Sequence, residues 1–121
     1  MRYILSIDTG GTALKVAVYD ANGRELAAVS ELPRLFNPVP GWNERDADAM
    51  WLAVAGLVRR GVAEAGIAVH DIGVVGLTGY GNGLLLVDAA GKPVRNALIW
   101  SKSCVEPFCP FGAMKSSEIN S

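Results

Sequence analysis

The sequence predicts an α/β domain: a three-stranded antiparallel meander, then one helix, then further strands. Three observations predict it. Residues 3–7, 15–19 and 25–32 are short runs rich in apolar and β-branched side chains, as expected of strands lying on a core. Residues 46–66 carry Met50, Trp51, Val54, Leu57, Val58 and Ala65 at helical spacing, which gives one apolar helix face. Residues 72–78 return to an apolar run that ends in glycines, the pattern of a buried strand.

The chain has 121 residues, half of them hydrophobic and 19% charged. That is a globular composition, and the length suffices for one small domain with a core. The net charge is −1, and Lys and Arg are scattered, with only Arg59 and Arg60 adjacent. This balance leaves no electrostatic footprint for nucleic acid or an acidic membrane surface. No apolar run reaches the length of a membrane span. The apolar stretch before Asp8 is too short for a signal peptide. A cytoplasmic protein is expected. Cys104 and Cys109 are spaced neither as a disulfide framework nor as a metal site, and they read as free thiols.

The richest stretch is residues 3–20. A strand ends at Asp8, Thr9-Gly10-Gly11-Thr12 makes a turn, and a second strand leaves through Lys15. The two glycines permit positive φ and close approach of a ligand to the backbone. Successive N–H groups in such a turn can form an anion nest. Thr12 adds a hydroxyl and Lys15 a cation. Asp8 at the strand end suits Mg²⁺, which takes oxygen ligands and keeps several waters. The spacing is neither that of a Walker loop nor Gly-x-Gly-x-x-Gly opening a helix. The same residues also suit an ordinary hairpin with a surface lysine.

Asp20-Ala21-Asn22-Gly23-Arg24 follows, with Asn-Gly as a hairpin signal. Residues 33–41 form a loop marked by Pro33, Pro38 and Pro40. Asp46 suits the helix N-cap, Asp48 the positive first turn, and Gly66 the C-terminus. Glu44, Asp46 and Asp48 together read as capping and dipole matching rather than a catalytic carboxylate pair. Trp51 is expected in the core; Trp42, in a Pro/Gly loop, is a candidate for the lining of a ligand cleft. His70 falls in a short solvated link. Glycines at 79, 81 and 83 bring the backbone close to a ligand or to packed chain. Tyr80 and Asn82, at a strand end, are candidate polyol contacts or the polar tips of a wide hairpin. Residues 88–93 read as a turn, and residues 94–100 as a returning strand.

Asp8-Thr-Gly-Gly-Thr-x-x-Lys15 resembles the first phosphate motif of the sugar-kinase, Hsp70 and actin-like ATPases. Pro40-Gly41-Trp42-Asn43-Glu44-Arg45-Asp46 resembles the Pro-Gly-Trp-x-Glu-x-Asp segment of the FGGY carbohydrate kinases. Tyr80 to Asp88 stands where those kinases carry a substrate-side turn before Leu-x-x-Asp, with Tyr80 in place of the usual Gln. Gly91-Lys92-Pro93 through Trp100 follows their next block. Within the family the stretch looks most like L-xylulose, erythritol and related ketose or polyol kinases. A ROK-type kinase would share only the first motif.

The resemblance implies a ribonuclease-H-like (actin-like ATPase) fold and ATP-dependent phosphorylation of a small sugar or polyol. It implies ATP phosphates at Gly10, Gly11, Thr12 and Lys15, Mg²⁺ at Asp8, and substrate contacts at Tyr80, Asn82 and Trp42. The general-base Asp of the family is expected beyond the end of this chain. Residues 1–101 then form part of an N-terminal domain. After Ser101, Lys102 replaces the family's Asp, and residues 103–111, with Pro107 and Pro110, have no regular period. Residues 102–121 are expected to be an irregular tail from a frameshift or truncation, and the chain alone to be inactive and marginally stable.

Overall fold

A computed structural model describes residues 2–38, 40, 42–81 and 83–99. The meander is present: β1 (Tyr3–Thr9), β2 (Leu14–Asp20) and β3 (Glu25–Glu31) pair antiparallel in sequence order. The chain then crosses through α1 (Ala47–Ala65) to β5 (Ile72–Gly79), which lies parallel to β1. The sheet order is β3-β2-β1-β5. A separate small sheet joins β4 (Asn43–Arg45), β7 (Ala97–Ile99) and β6 (Gly83–Leu84) in the order β4-β7-β6.

Alternation along β2 sets the layers. Leu14, Val16 and Val18 are buried, and with Leu5 and Val29 they meet Val54 and Leu57 of α1. Lys15, between Leu14 and Val16, is exposed on the opposite face, as the two-residue period of a strand requires. Helix and sheet approach closely at Gly61, where a β-carbon would stand 3.3 Å from Val16 Cγ1. Both ends of α1 are capped as expected. The Asp46 side chain accepts from Ala49 N–H, and Gly66 adopts φ +65°, the left-handed conformation that terminates helices.

The turn after β2 has its own logic. The Asp20 carboxylate accepts from the N–H groups of Asn22 and Arg24, and Gly23 takes φ +82°. No non-glycine described residue has positive φ, so this is not the two-residue Asn-Gly turn with both central residues left-handed. Asp88-Ala89-Ala90-Gly91-Lys92 repeats the device: Asp88 accepts from Ala90 and Lys92, and Gly91 has φ +77°.

Four expectations are corrected. Trp51 is 69% exposed and outside the core, although it stands three residues before Val54 and shares helical spacing with the buried stripe of Val54, Leu57, Gly61 and Val62. It lies in the first turns of α1, ahead of the first buried residue of that stripe. β5 is not buried: Leu77 is 74% exposed, and Val74 and Val75 are exposed too. β5 edges the sheet, and α1 packs chiefly on β2 and β3, so no described element covers it. Residues 94–96 do not belong to the returning strand: among the described residues it covers Ala97–Ile99, while Val87 and Pro93 meet in an isolated bridge. Glu44 caps nothing. It lies in β4, buried, with its carboxylate on Arg95 and Asn96. The cysteines, Trp100 and the proposed tail lie outside the described residues.

Candidate nucleotide-phosphate site

β1 and β2 place Asp8 directly opposite Lys15, and β5 places Thr78 beside Asp8 on the other side. Cross-strand partners project to one face of a sheet, so Asp8 and Lys15 share the face away from α1. Neither belongs to an ion pair among the described residues. Thr12 is exposed at the tip of the turn. The predicted phosphate residues are thus gathered at one end of the sheet.

Gly10 and Gly11 are required for a reason other than the one expected. Neither has positive φ. A β-carbon on Gly10 would stand 3.0 Å from the Ala13 carbonyl oxygen and 3.4 Å from Asp8 Oδ1. One on Gly11 would stand 3.1 Å from Tyr80 Cδ2. The turn is packed from within, and glycine is what fits.

Tyr80 reaches this position because β5 runs alongside β1 to its end. Its N–H donates to the Thr9 carbonyl over 3.2 Å, and the Thr9 hydroxyl donates to the Thr78 carbonyl over 3.2 Å. Gly79 leaves room for that hydroxyl, since a β-carbon there would stand 2.8 Å from Thr9 Oγ1. A β-carbon on Gly83 would come 3.0 Å from the Leu98 carbonyl, whereas Gly81 faces open space. The glycines at 79 and 83 therefore serve chain packing. Asn82 lies outside the described residues.

Sequence reasoning missed the residue that holds the turn. Arg45 is 2% exposed. Its Nη1 donates to the Gly10 carbonyl over 3.0 Å and its Nη2 to the Gly11 carbonyl. Burial lowers the Arg45 pKa, and the neighbouring Tyr80 acts in the other direction. Guanidinium groups stay charged in proteins, so a cation sits directly behind the turn. Only the placement of Arg45 on a short strand reveals this role, and a three-residue strand between a proline loop and a helix leaves no readable period. Its neighbour Glu44 faces the other way and pairs with Arg95, whose Cζ lies 5.8 Å from the centre of the Trp42 ring. Trp42 therefore stands on the small sheet, over the Arg95–Glu44 pair.

An anion can be held by this end of the sheet. It offers side-chain-free backbone at Gly10 and Gly11, an exposed Lys15 and a buried cation. Asp8 suits a Mg²⁺ that takes its remaining ligands from water and phosphate. No cluster of three or more acidic, His or Cys side chains that could hold a metal ion occurs among the described residues.

Comparison with known proteins gives the family. Residues 3–110 match the N-terminal domain of the FGGY family of carbohydrate kinases. The chain belongs to that family. It is 34% identical over 110 residues to glycerol kinase 2 of Thermotoga maritima, covering 90% of this chain and 22% of that protein. It is 38% identical over 101 residues to L-xylulose/3-keto-L-gulonate kinase of Escherichia coli, covering 83% of this chain and 20% of that one. Xylulose kinase from Rhodospirillum rubrum superposes with a TM-score of 0.73 at 23% identity, over 81% of this chain and 20% of that one. The FGGY chain thus has the expected actin-like ATPase fold, and it spans about a fifth of the length of these relatives. Family membership displaces the ROK-type alternative. No helix among the described residues is long and apolar enough to cross a membrane.

Proposed function

We propose that this chain supplies the phosphate-binding turn of an ATP-dependent kinase that phosphorylates a small sugar or polyol. The observation that carries the reading is the turn between Asp8 and Lys15, with two glycines packed from within and both glycine carbonyls held by a buried arginine. Gly10, Gly11, Thr12 and Lys15 hold the ATP phosphates, and Asp8 holds Mg²⁺. Phosphoryl transfer depends on positioning and charge stabilisation, and a metal held at Asp8 would supply charge neutralisation at the phosphates. Lys15 adds a mobile cation and Arg45 a fixed one.

Trp42, Tyr80 and Asn82 form the polyol side. The ring of Tyr80 lies against Gly11 of the phosphate turn. The names of the relatives, glycerol kinase and L-xylulose/3-keto-L-gulonate kinase, support a polyol or ketose acceptor. The resemblance puts the general-base Asp further along than residue 101. A second reading therefore concerns residues 1–121 by themselves: they bind nucleotide or polyol without turnover.

The test is ATP-dependent phosphorylation of glycerol, erythritol, L-xylulose and D-xylulose. Residues 1–121 are assayed beside a chimera in which residues 3–99 replace the matching segment of an FGGY kinase. Turnover by the chimera, lost in its Asp8→Asn variant, supports the kinase reading. A folded chimera that fails on every acceptor sinks it. Turnover by residues 1–121 alone removes the second reading.

A further inference from the structure

Arg45 has a feature that simple packing does not explain. It is buried on β4, and its Nε has no hydrogen-bond partner. A buried donor without an acceptor is costly and calls for a reason. Both terminal nitrogens are spent on the carbonyls of consecutive residues, Gly10 and Gly11.

The consequence follows from peptide geometry. In a trans peptide the carbonyl of one residue and the N–H of the next point in opposite directions. Fixing the Gly10 carbonyl fixes the Gly11 N–H, and fixing the Gly11 carbonyl fixes the Thr12 N–H. Neither N–H has an acceptor among the described residues. The planar fork of arginine can hold two carbonyls at once, which an ammonium cannot reproduce. We propose that Arg45 is a positioning residue: by gripping the Gly10 and Gly11 carbonyls from behind, it aims the N–H groups of Gly11 and Thr12 at the phosphate. This rests on the reading of the turn as a nucleotide-phosphate site. It also ties that turn to the small sheet, since Glu44, next in β4, anchors Arg95 and Asn96 on the polyol side.

Amide chemical shifts of residues 1–121 test this with Arg45→Lys and Arg45→Met, first without ligand and then in a titration with MgATP. Without ligand, the Gly11 and Thr12 amides are expected to move in both variants, while those of the remote Gly23 and Gly91 turns stay in place. With MgATP, Arg45→Met is expected to bind at least tenfold more weakly than the parent, and Arg45→Lys to recover only part of the loss despite its charge. Unmoved Gly11 and Thr12 amides overturn the proposal. So does equal MgATP affinity in Arg45→Lys and the parent, because charge alone would then suffice. If Arg45→Met does not fold, Arg45→Lys decides by the same two readouts. If the parent itself does not bind MgATP, the phosphate reading fails, and with it the aim of these N–H groups at a phosphate. Moved amides would then show only that Arg45 orders the turn.

Discussion

A β-carbon on Gly11 would stand 3.1 Å from the ring of Tyr80. That contact joins the first turn of the chain to the end of β5, sixty-odd residues later. Gly11→Ala is expected to push the ring by a few tenths of an ångström and to lower stability by about 1 kcal/mol. Gly81→Ala meets open space and is expected to stay within about 0.5 kcal/mol of the parent. Urea denaturation of both variants checks the pair, and equal effects would mean that the Gly11–Tyr80 contact carries no strain.

The two glycines inside α1 should behave in opposite ways. Gly56 has nothing within 4 Å of a built β-carbon, whereas Gly61 meets Val16 Cγ1 at 3.3 Å and Val29 Cγ2 at 3.5 Å. Gly56→Ala is expected to stabilise by about 1 kcal/mol through helix propensity. Gly61→Ala gains the same propensity but pushes the helix from the sheet, and is expected to melt at or below the parent temperature. A similar rise in both would contradict the close approach at Gly61.

Asp46 accepts from the Ala49 N–H at the start of α1. Asp46→Ala is expected to cost about 1 kcal/mol, and Asp46→Asn much less, because an amide oxygen can also cap. Thermal melts of the two variants check this.

Glu44 presents a different kind of carboxylate. Its side chain is 9% exposed and holds Arg95, whose own side chain is 46% exposed. Because Arg95 can still reach water, Glu44→Ala is expected to cost about 1–2 kcal/mol, below the loss for a fully buried pair. The expected signature is local: faster amide exchange in β4 and β7, with β1 and β2 unchanged. Uniformly faster exchange would show that the small sheet is not a separate unit.

Much of the large sheet was legible because its signals are local. Apolar runs with β-branched residues, the Asp46 and Gly66 caps and the Asp20–Arg24 turn each lie within a few residues of sequence. The small sheet was not, since strands of two and three residues are too short to show a period. The apolar run of β5 suggested burial, but burial depends on what packs against it, and α1 favours the other edge. Trp51 has the helical spacing of the stripe, but spacing gives only the face of a helix, and Trp51 precedes the first buried residue of α1. At the site, Asp8, Gly10, Gly11, Thr12 and Lys15 lie within one hairpin and could be read together. Arg45 could not, because its role depends on a contact across 34 residues of sequence.

The most direct test of the central claim is a titration of residues 1–121 with MgATP, followed by the amide resonances of Gly10, Gly11 and Thr12 and repeated with Lys15→Met. The account predicts saturable shifts at these three amides, weaker binding in the variant, and no response at Gly23 or Gly91. If the three amides stay in place while ATP is present in large excess, this turn does not hold nucleotide phosphates, and the account is wrong at its centre.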